Sequence, residues 1–182
     1  MSNQKLDISR PLFEEPPDDL DEDSTWGFLL GGMAWKEGYL PADEFLLAAN
    51  ALVDHALRER DLSYEYMPPI MYLYRHALEL YLKQIVRPTR RNHDLPYLIG
   101  EFEKVLQRDH HQSLPAPIRS WLMEWATHDP TSTNFRYSIG GPDGEYWVNM
   151  HHLRRVMNFL AENFKRMRWS HGTAKQRAGR PA

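Results

Sequence analysis

The sequence predicts an all-α protein, a bundle of four to five helices with disordered N- and C-terminal arms. Apolar residues recur at steps of three and four over several long segments. No sustained apolar–polar alternation of the kind seen in half-buried strands is present, and there is no internal repeat. The chain has 182 residues, with 42% hydrophobic and 26% charged residues. This is enough for one hydrophobic core in a globular domain.

The first half of the chain contains three predicted helical segments. Residues 26–39 form a short helix or helical turn that its glycines weaken. Residues 41–60 begin with a first-turn proline and carry apolar side chains on one face. Residues 70–86 follow two prolines and show the same period, until Pro88 ends the helix.

Two further long helices are predicted in the second half. Asp94 has the side chain of a helix cap and precedes an amphipathic helix over 95–108. Another helix covers about 115–129, between prolines. Residues 131–145 include a Gly-Pro-Asp-Gly turn, which predicts a loop or short hairpin. Residues 146–168 form the last helix, because their apolar side chains again share one face.

Charge is distributed unevenly along the chain. Residues 1–24 hold eight acidic and two basic residues, whereas 154–182 hold eight basic residues and one glutamate. We expect an acidic flexible arm at 1–24, a helical bundle at 25–169 and a basic flexible tail at 170–182. Either both arms only keep the protein soluble, or the basic tail contacts phosphates and the acidic arm competes for it.

Several classes of protein are not expected from this sequence. There is no cysteine, which excludes disulfides, thiolate metal sites and a cysteine nucleophile. The N-terminus lacks the pattern of a secretory signal, and the longest apolar stretch is about half of what a bilayer crossing needs. We therefore expect a cytoplasmic protein without a membrane span.

Metal and cofactor sites are not expected either. The histidine pairs His110–His111 and His151–His152 are sequence neighbours, which point about 100° apart on a helix and begin a metal site poorly. The glycines of 140–144 lack the lysine and the serine or threonine of a phosphate-binding loop. The predicted cofactor set is empty.

The pattern of charged and aromatic residues predicts two candidate functional sites, one within 75–83 and one at 135–137. Arg75, Glu79 and Lys83 are spaced four apart, so they form either a structural ion-pair ladder or a phosphate site in which the glutamate holds the two cations. His76 shares its helix face with Tyr72 and Leu80 and is either a core histidine or an acid–base group. The run 135–137, Phe-Arg-Tyr, either stacks on nucleobases or fastens its loop to the bundle.

The run Leu-Tyr-Arg-His-Ala-Leu-Glu-Leu-Tyr-Leu-Lys at 73–83, the His-Asp-Leu at 93–95 and the Phe-Arg-Tyr at 135–137 resemble bacterial proteins of the HEPN superfamily. The resemblance covers roughly residues 42–166. It implies a helical bundle that often forms a homodimer. Members of the superfamily are RNA-cutting toxins or defence effectors, or proteins that only bind. Three functions therefore remain open: a metal-independent RNase acting as a toxin or defence effector, a non-catalytic module that binds RNA or a partner protein such as an antitoxin, and a purely structural helical adaptor.

The superfamily's arginine–histidine spacing of four to six residues occurs at Arg87–His93 and Arg166–His171. Sixteen arginines and nine histidines produce that many matches by chance, so we assign no role to Arg87 or Arg166. The catalytic residues that we expect from the stretches carrying the resemblance are Arg75, His93 and Arg136. The expected nucleic-acid-binding residues are His76, Lys83, Tyr137, Arg154 and Arg155.

Overall fold

The computed structural model describes residues 41–59, 65–89, 93–137 and 146–178, with side chains described as far as Met167. These residues contain helices and no strand, which confirms the all-α prediction. The helices are α1 (Pro41–Glu59), α2 (Met67–Val86), α3 (Leu95–His110), α4 (Ala116–His128), α5 (Asn134–Tyr137) and α6 (Met150–Ala178). The predicted arm at 1–24 and the helix at 26–39 lie outside the described residues. None of the described helices is long and apolar enough to cross a membrane.

Helix α2 is the centre of the bundle. It packs against α1, α3, α5 and α6. A helix with neighbours on several sides must bury more than one face. Its buried residues are Ile70, Tyr74, Arg75, Ala77, Leu78, Glu79, Tyr81, Leu82 and Ile85. Two of them are charged, and the bundle has to satisfy their polar atoms internally.

The ends of α2 follow from its sequence. The helix begins one turn before the predicted start because Pro68 and Pro69 fit into its first turn, where proline loses no helical hydrogen bond. It ends at Val86, and the next residue, Arg87, caps it by adopting a left-handed conformation with φ 50° and donating its backbone N–H to Lys83 O.

A polar network ties three helices together inside the bundle. Tyr74 on α2 donates its hydroxyl to Asn50 Oδ1 on α1 at 2.7 Å. Asn50 Nδ2 in turn donates to Asn158 Oδ1 on α6 at 3.0 Å. Burial raises the pKa of Tyr74 to about 12, so the phenol stays protonated and remains a donor.

Two elements differ from the sequence prediction. The segment predicted as a loop or hairpin contains the single turn α5, because Asp129 Oδ1 accepts the backbone N–H groups of Thr133 and Asn134 at 2.8 and 3.1 Å. Helix α6 begins at Met150 rather than at residue 146, since Asn149 Oδ1 accepts the N–H of His152 and caps the first turn. It continues to Ala178, ten residues beyond its predicted end.

Candidate functional site

The Glu79 carboxylate is the centre of the candidate site. Its side chain is 1% exposed. Oε2 accepts Arg75 Nη1 at 2.8 Å, and Oε1 accepts Lys83 Nζ at 2.6 Å. The predicted ladder is therefore present, as the four-residue spacing on α2 requires. A third partner of Glu79 comes from the segment just before α3, where His93 Nδ1 lies 2.8 Å from Glu79 Oε1.

Arg75 is completely buried and is bound on every side. Besides Glu79, it donates Nε to Asp129 O at 2.9 Å and Nη2 to His93 O at 2.8 Å. A longer contact of 3.4 Å joins Nη2 to Pro130 O. The same Pro130 carbonyl accepts the N–H of Leu95 at 2.9 Å. Arg75 thus joins α2 to the chain entering α3 and to the chain leaving α4, and its guanidinium does not reach the surface.

The contact between Glu79 and His93 determines the tautomer of His93. Burial raises the pKa of Glu79, but the hydrogen bond from Lys83 and the charge of Arg75 outweigh it and hold this pKa below its usual value. A carboxylate only accepts hydrogen bonds, so Nδ1 of His93 must donate. In the neutral ring, Nε2 then carries the lone pair, and the side chain is 49% exposed. His93 is thus oriented for proton transfer with a solvent-accessible partner.

His76 lies beside this pair on α2. Its ring stacks on Tyr72 with 5.7 Å between centroids and meets Phe45 edge-on at 4.4 Å. Its Nδ1 atom is buried and has no hydrogen-bond partner. Burial lowers the pKa of His76, and the positive charges of Arg75 and neighbouring groups add to this effect against the opposing charge of Glu79. Folding therefore favours the neutral form of His76.

Arg136 reaches the same region from α5. Its guanidinium carbon lies 5.4 Å from the centre of the Tyr72 ring, within the range of a cation–π contact. The side chain is exposed, and its hydrogen bond to Ser132 Oγ is long at 3.4 Å. We call the surface formed by Tyr72, His76, Lys83, His93 and Arg136 the α2 face.

Two of the predicted nucleic-acid-binding residues are not joined to the α2 face by any described contact. Arg154 on α6 forms an ion pair with Asp54 on α1 through both guanidinium NH₂ groups. Arg155 is exposed on the same helix. Tyr137, in contrast, follows Arg136 directly and is 63% exposed, so it can extend the α2 face.

Two contributors to the site were missed by sequence reasoning. The sequence pattern assigns no role to Tyr72 beyond sharing a helix face with His76, although the four-residue spacing of the two rings indicates their stack. Asp129 carries the bonds that hold α5, and it also accepts Arg75 through its carbonyl. No local pattern marks that second role, because 54 residues separate the two partners.

No family model, no curated protein and no solved structure matches the chain. Within the part of the chain that the structure describes, no group of three or more histidine, aspartate or glutamate side chains could hold a metal ion. The fold and site define an all-helical domain in which a carboxylate orients one histidine, with the half-buried Lys83 and the exposed Arg136 on the same face. We infer its function from these residues.

Proposed function

We propose that the protein is a HEPN-like, metal-independent endoribonuclease in which His93 is the general base. The observation that carries the proposal is the 2.8 Å contact between His93 Nδ1 and Glu79 Oε1. It orients the imidazole and leaves Nε2 as the atom that accepts a proton. Carboxylate–histidine pairs position the base in the same way in hydrolases.

The reaction that suits this arrangement is attack of an RNA 2′-hydroxyl on the adjacent phosphate. His93 Nε2 takes the hydroxyl proton, the 2′-oxygen bonds to phosphorus, and the bond from phosphorus to the 5′-oxygen breaks. Water protonates the leaving 5′-oxygen, and a 2′,3′-cyclic phosphate remains. Arg136 and Lys83 supply the positive charge that stabilises the phosphate as its negative charge increases.

Arg75 has a different role in this proposal from the one expected from the sequence. Its donors are bound to Glu79 and to backbone carbonyls, so it is a positioning residue. Its hydrogen bond to His93 O holds the backbone of the proposed general base. Its hydrogen bond to Asp129 O holds the residue whose carboxylate caps α5. Both ends of the α2 face therefore depend on one buried side chain.

The proposal is tested by incubating the full-length protein with a structured RNA in excess EDTA and identifying the product ends. We expect cleavage to persist in EDTA and to leave a cyclic phosphate or the 3′-phosphate derived from it. Cleavage that stops in EDTA, or products with a 3′-hydroxyl, would contradict this mechanism.

A second candidate function is a non-catalytic module that binds RNA or a partner protein. The burial of Arg75 favours it, since one of the three expected phosphate-contacting or acid–base groups cannot reach a substrate. The same incubation separates the two functions. RNA that is bound by the protein but recovered intact identifies the binding module.

A further inference from the structure

A pocket lined by residues of α2, α4 and α6 and of the segment before α6 has no role in the proposed cleavage. Its volume is about 230 Å³, below the roughly 300–1,000 Å³ typical of sites for drug-sized ligands. It therefore has room for one ring system. Its lining includes Trp121, Trp125, His128, Tyr146, Trp147 and Asn149.

The lining combines flat aromatic surfaces with a few polar groups. Trp121, Trp125 and Trp147 contribute three indoles. Hydrogen-bonding groups come from His128 and Asn149, among others. A pocket for an aliphatic side chain needs no such polar groups, whereas a nitrogen heterocycle uses both the stacking surfaces and the hydrogen bonds at its edge.

Trp147 is the most exposed large hydrophobic residue of the described chain, at 87%. An indole that lines a pocket and is open to solvent can stack on a ring that enters. Two other rings of the lining, His128 and Tyr146, meet edge-on with 4.5 Å between ring centroids. The lining thus offers more than one aromatic ring to a ligand.

A ring contact links the pocket to the segment that carries Arg136. Trp125, which lines the pocket, meets Phe135 edge-on with 5.9 Å between ring centroids, and Phe135 directly precedes Arg136. A nucleotide whose phosphate lies on Arg136 therefore has an aromatic pocket adjacent to it.

We propose that this pocket binds one unstacked nucleobase of a single-stranded RNA, an inference that rests on the proposed action on RNA. The base lies against the indole of Trp147, and the neighbouring phosphate is held by Arg136. Base stacking accepts any base, so the pocket anchors the strand without strict sequence preference.

The probe is a labelled 2′-O-methyl hexaadenylate, which lacks the 2′-hydroxyl and cannot be cut by the proposed mechanism. Its affinity for the full-length protein is measured by fluorescence anisotropy and compared with that of an abasic hexamer carrying the same phosphates. We expect Trp147→Ala to weaken hexaadenylate binding roughly fivefold to a hundredfold, as loss of one base–aromatic stack does, and to leave abasic binding unchanged. Trp147→Phe should keep most of the affinity. The matched control is Gln107→Ala, which removes an exposed side chain of α3 from outside the pocket and should change neither.

Equal binding of both hexamers by the parent protein, or unchanged hexaadenylate affinity in Trp147→Ala, would overturn the nucleobase site. So would a Trp147→Ala variant that turns a dimer into a monomer in sedimentation, because a second copy would then occupy the pocket. Failure of this proposal is distinguishable from failure of the proposed function. RNA cleavage in EDTA without base-dependent binding contradicts the pocket alone, and base-dependent binding without cleavage contradicts the catalytic role alone.

Discussion

Nδ1 of His93 lies 2.8 Å from Oε1 of Glu79, although 14 residues separate the two along the chain. Glu79 belongs to α2, and His93 stands just before α3. The contact exists because buried Arg75 binds the Glu79 carboxylate and the His93 carbonyl together. One buried cation therefore fixes the geometry of an exposed acid–base group.

The first prediction concerns the stability that Arg75 provides. Arg75→Met should lower the free energy of unfolding by about 3–5 kcal/mol, the usual loss when one member of a buried ion pair is removed. Glu79 loses one of its charged partners, and the carbonyls of His93 and Asp129 lose their donor. Urea denaturation followed by circular dichroism measures the change.

The matched control for Arg75 is Arg119, whose side chain is 55% exposed and pairs with Glu103 on α3. Arg119→Met should change the free energy of unfolding by about 1 kcal/mol or less, as for other exposed ion pairs. If Arg75→Met and Arg119→Met lower the free energy of unfolding by the same small amount, the buried network does not stabilise the bundle as described.

The second prediction concerns acid sensitivity. The pKa of His76 is lower in the folded protein than its ordinary value of 6.5, chiefly because the ring is buried. Protonation therefore favours the unfolded chain. The contribution of His76 to stability is complete above pH 6.5 and decreases as the pH falls from there through the folded-state pKa. The pKa of Glu79 is also lowered, so its contribution is lost at still lower pH, below its ordinary 4.5.

His76→Phe isolates the histidine part of this pH dependence. The phenyl ring can still pack against Tyr72 and Phe45 but does not titrate. The ionisable groups around it, Glu79 and His93 among them, remain. Between pH 7.5 and pH 5.5, we expect the urea midpoint of the parent protein to fall more than that of the variant. Equal changes would show that His76 does not couple stability to pH.

The third prediction assigns a phosphate contact to Arg136. Arg136→Ala should weaken binding of a non-cleavable 2′-O-methyl RNA and reduce the slope of log affinity against log salt by roughly one unit. Stability should change by about 0.5 kcal/mol or less, because the side chain is exposed. Arg108→Ala is the control, since Arg108 is exposed at the end of α3 and pairs with Asp109. The same loss in both variants would indicate only a nonspecific charge effect.

The fourth prediction is that the protein forms a homodimer through helix faces. The resemblance implies pairing, and large apolar side chains are exposed at Leu47 on α1 and Phe159 on α6. Light scattering at micromolar concentration should give twice the 21.5 kDa of one chain. Leu47→Glu and Phe159→Glu, tested separately, identify the face that pairs. A mass of one chain at every concentration would contradict the prediction.

Local patterns predicted much of the fold. The five long helices follow from apolar spacing and prolines, and Asp94 caps α3 by accepting the N–H of Tyr97 at 3.0 Å, as expected from its side chain and position. The ion pairs of Glu79 with Arg75 and Lys83 also follow from spacing along one helix.

Long-range contacts account for what the sequence could not predict. A charged residue in an amphipathic pattern is expected at the surface. Arg75 is nevertheless buried, because the carbonyls of His93 and Asp129, 18 and 54 residues further along the chain, accept hydrogen bonds from its guanidinium. The aromatic pocket likewise combines Met71, Trp121 and Trp147 from three separate segments. No periodicity within one segment contains that information.

The rate of RNA cleavage by His93→Ala in the presence of EDTA tests the central claim most directly. The substitution keeps the His93 carbonyl that Arg75 binds, and the removed ring is 49% exposed, so the helical circular-dichroism signal and the melting temperature should stay close to those of the parent. We expect the single-turnover rate of His93→Ala to fall by about 10²–10⁴-fold, the usual contribution of a general base. The control, His151→Ala, removes an exposed histidine from α6 and should cut RNA at the rate of the parent. A folded His93→Ala variant that cuts RNA as fast as the parent would contradict the claim.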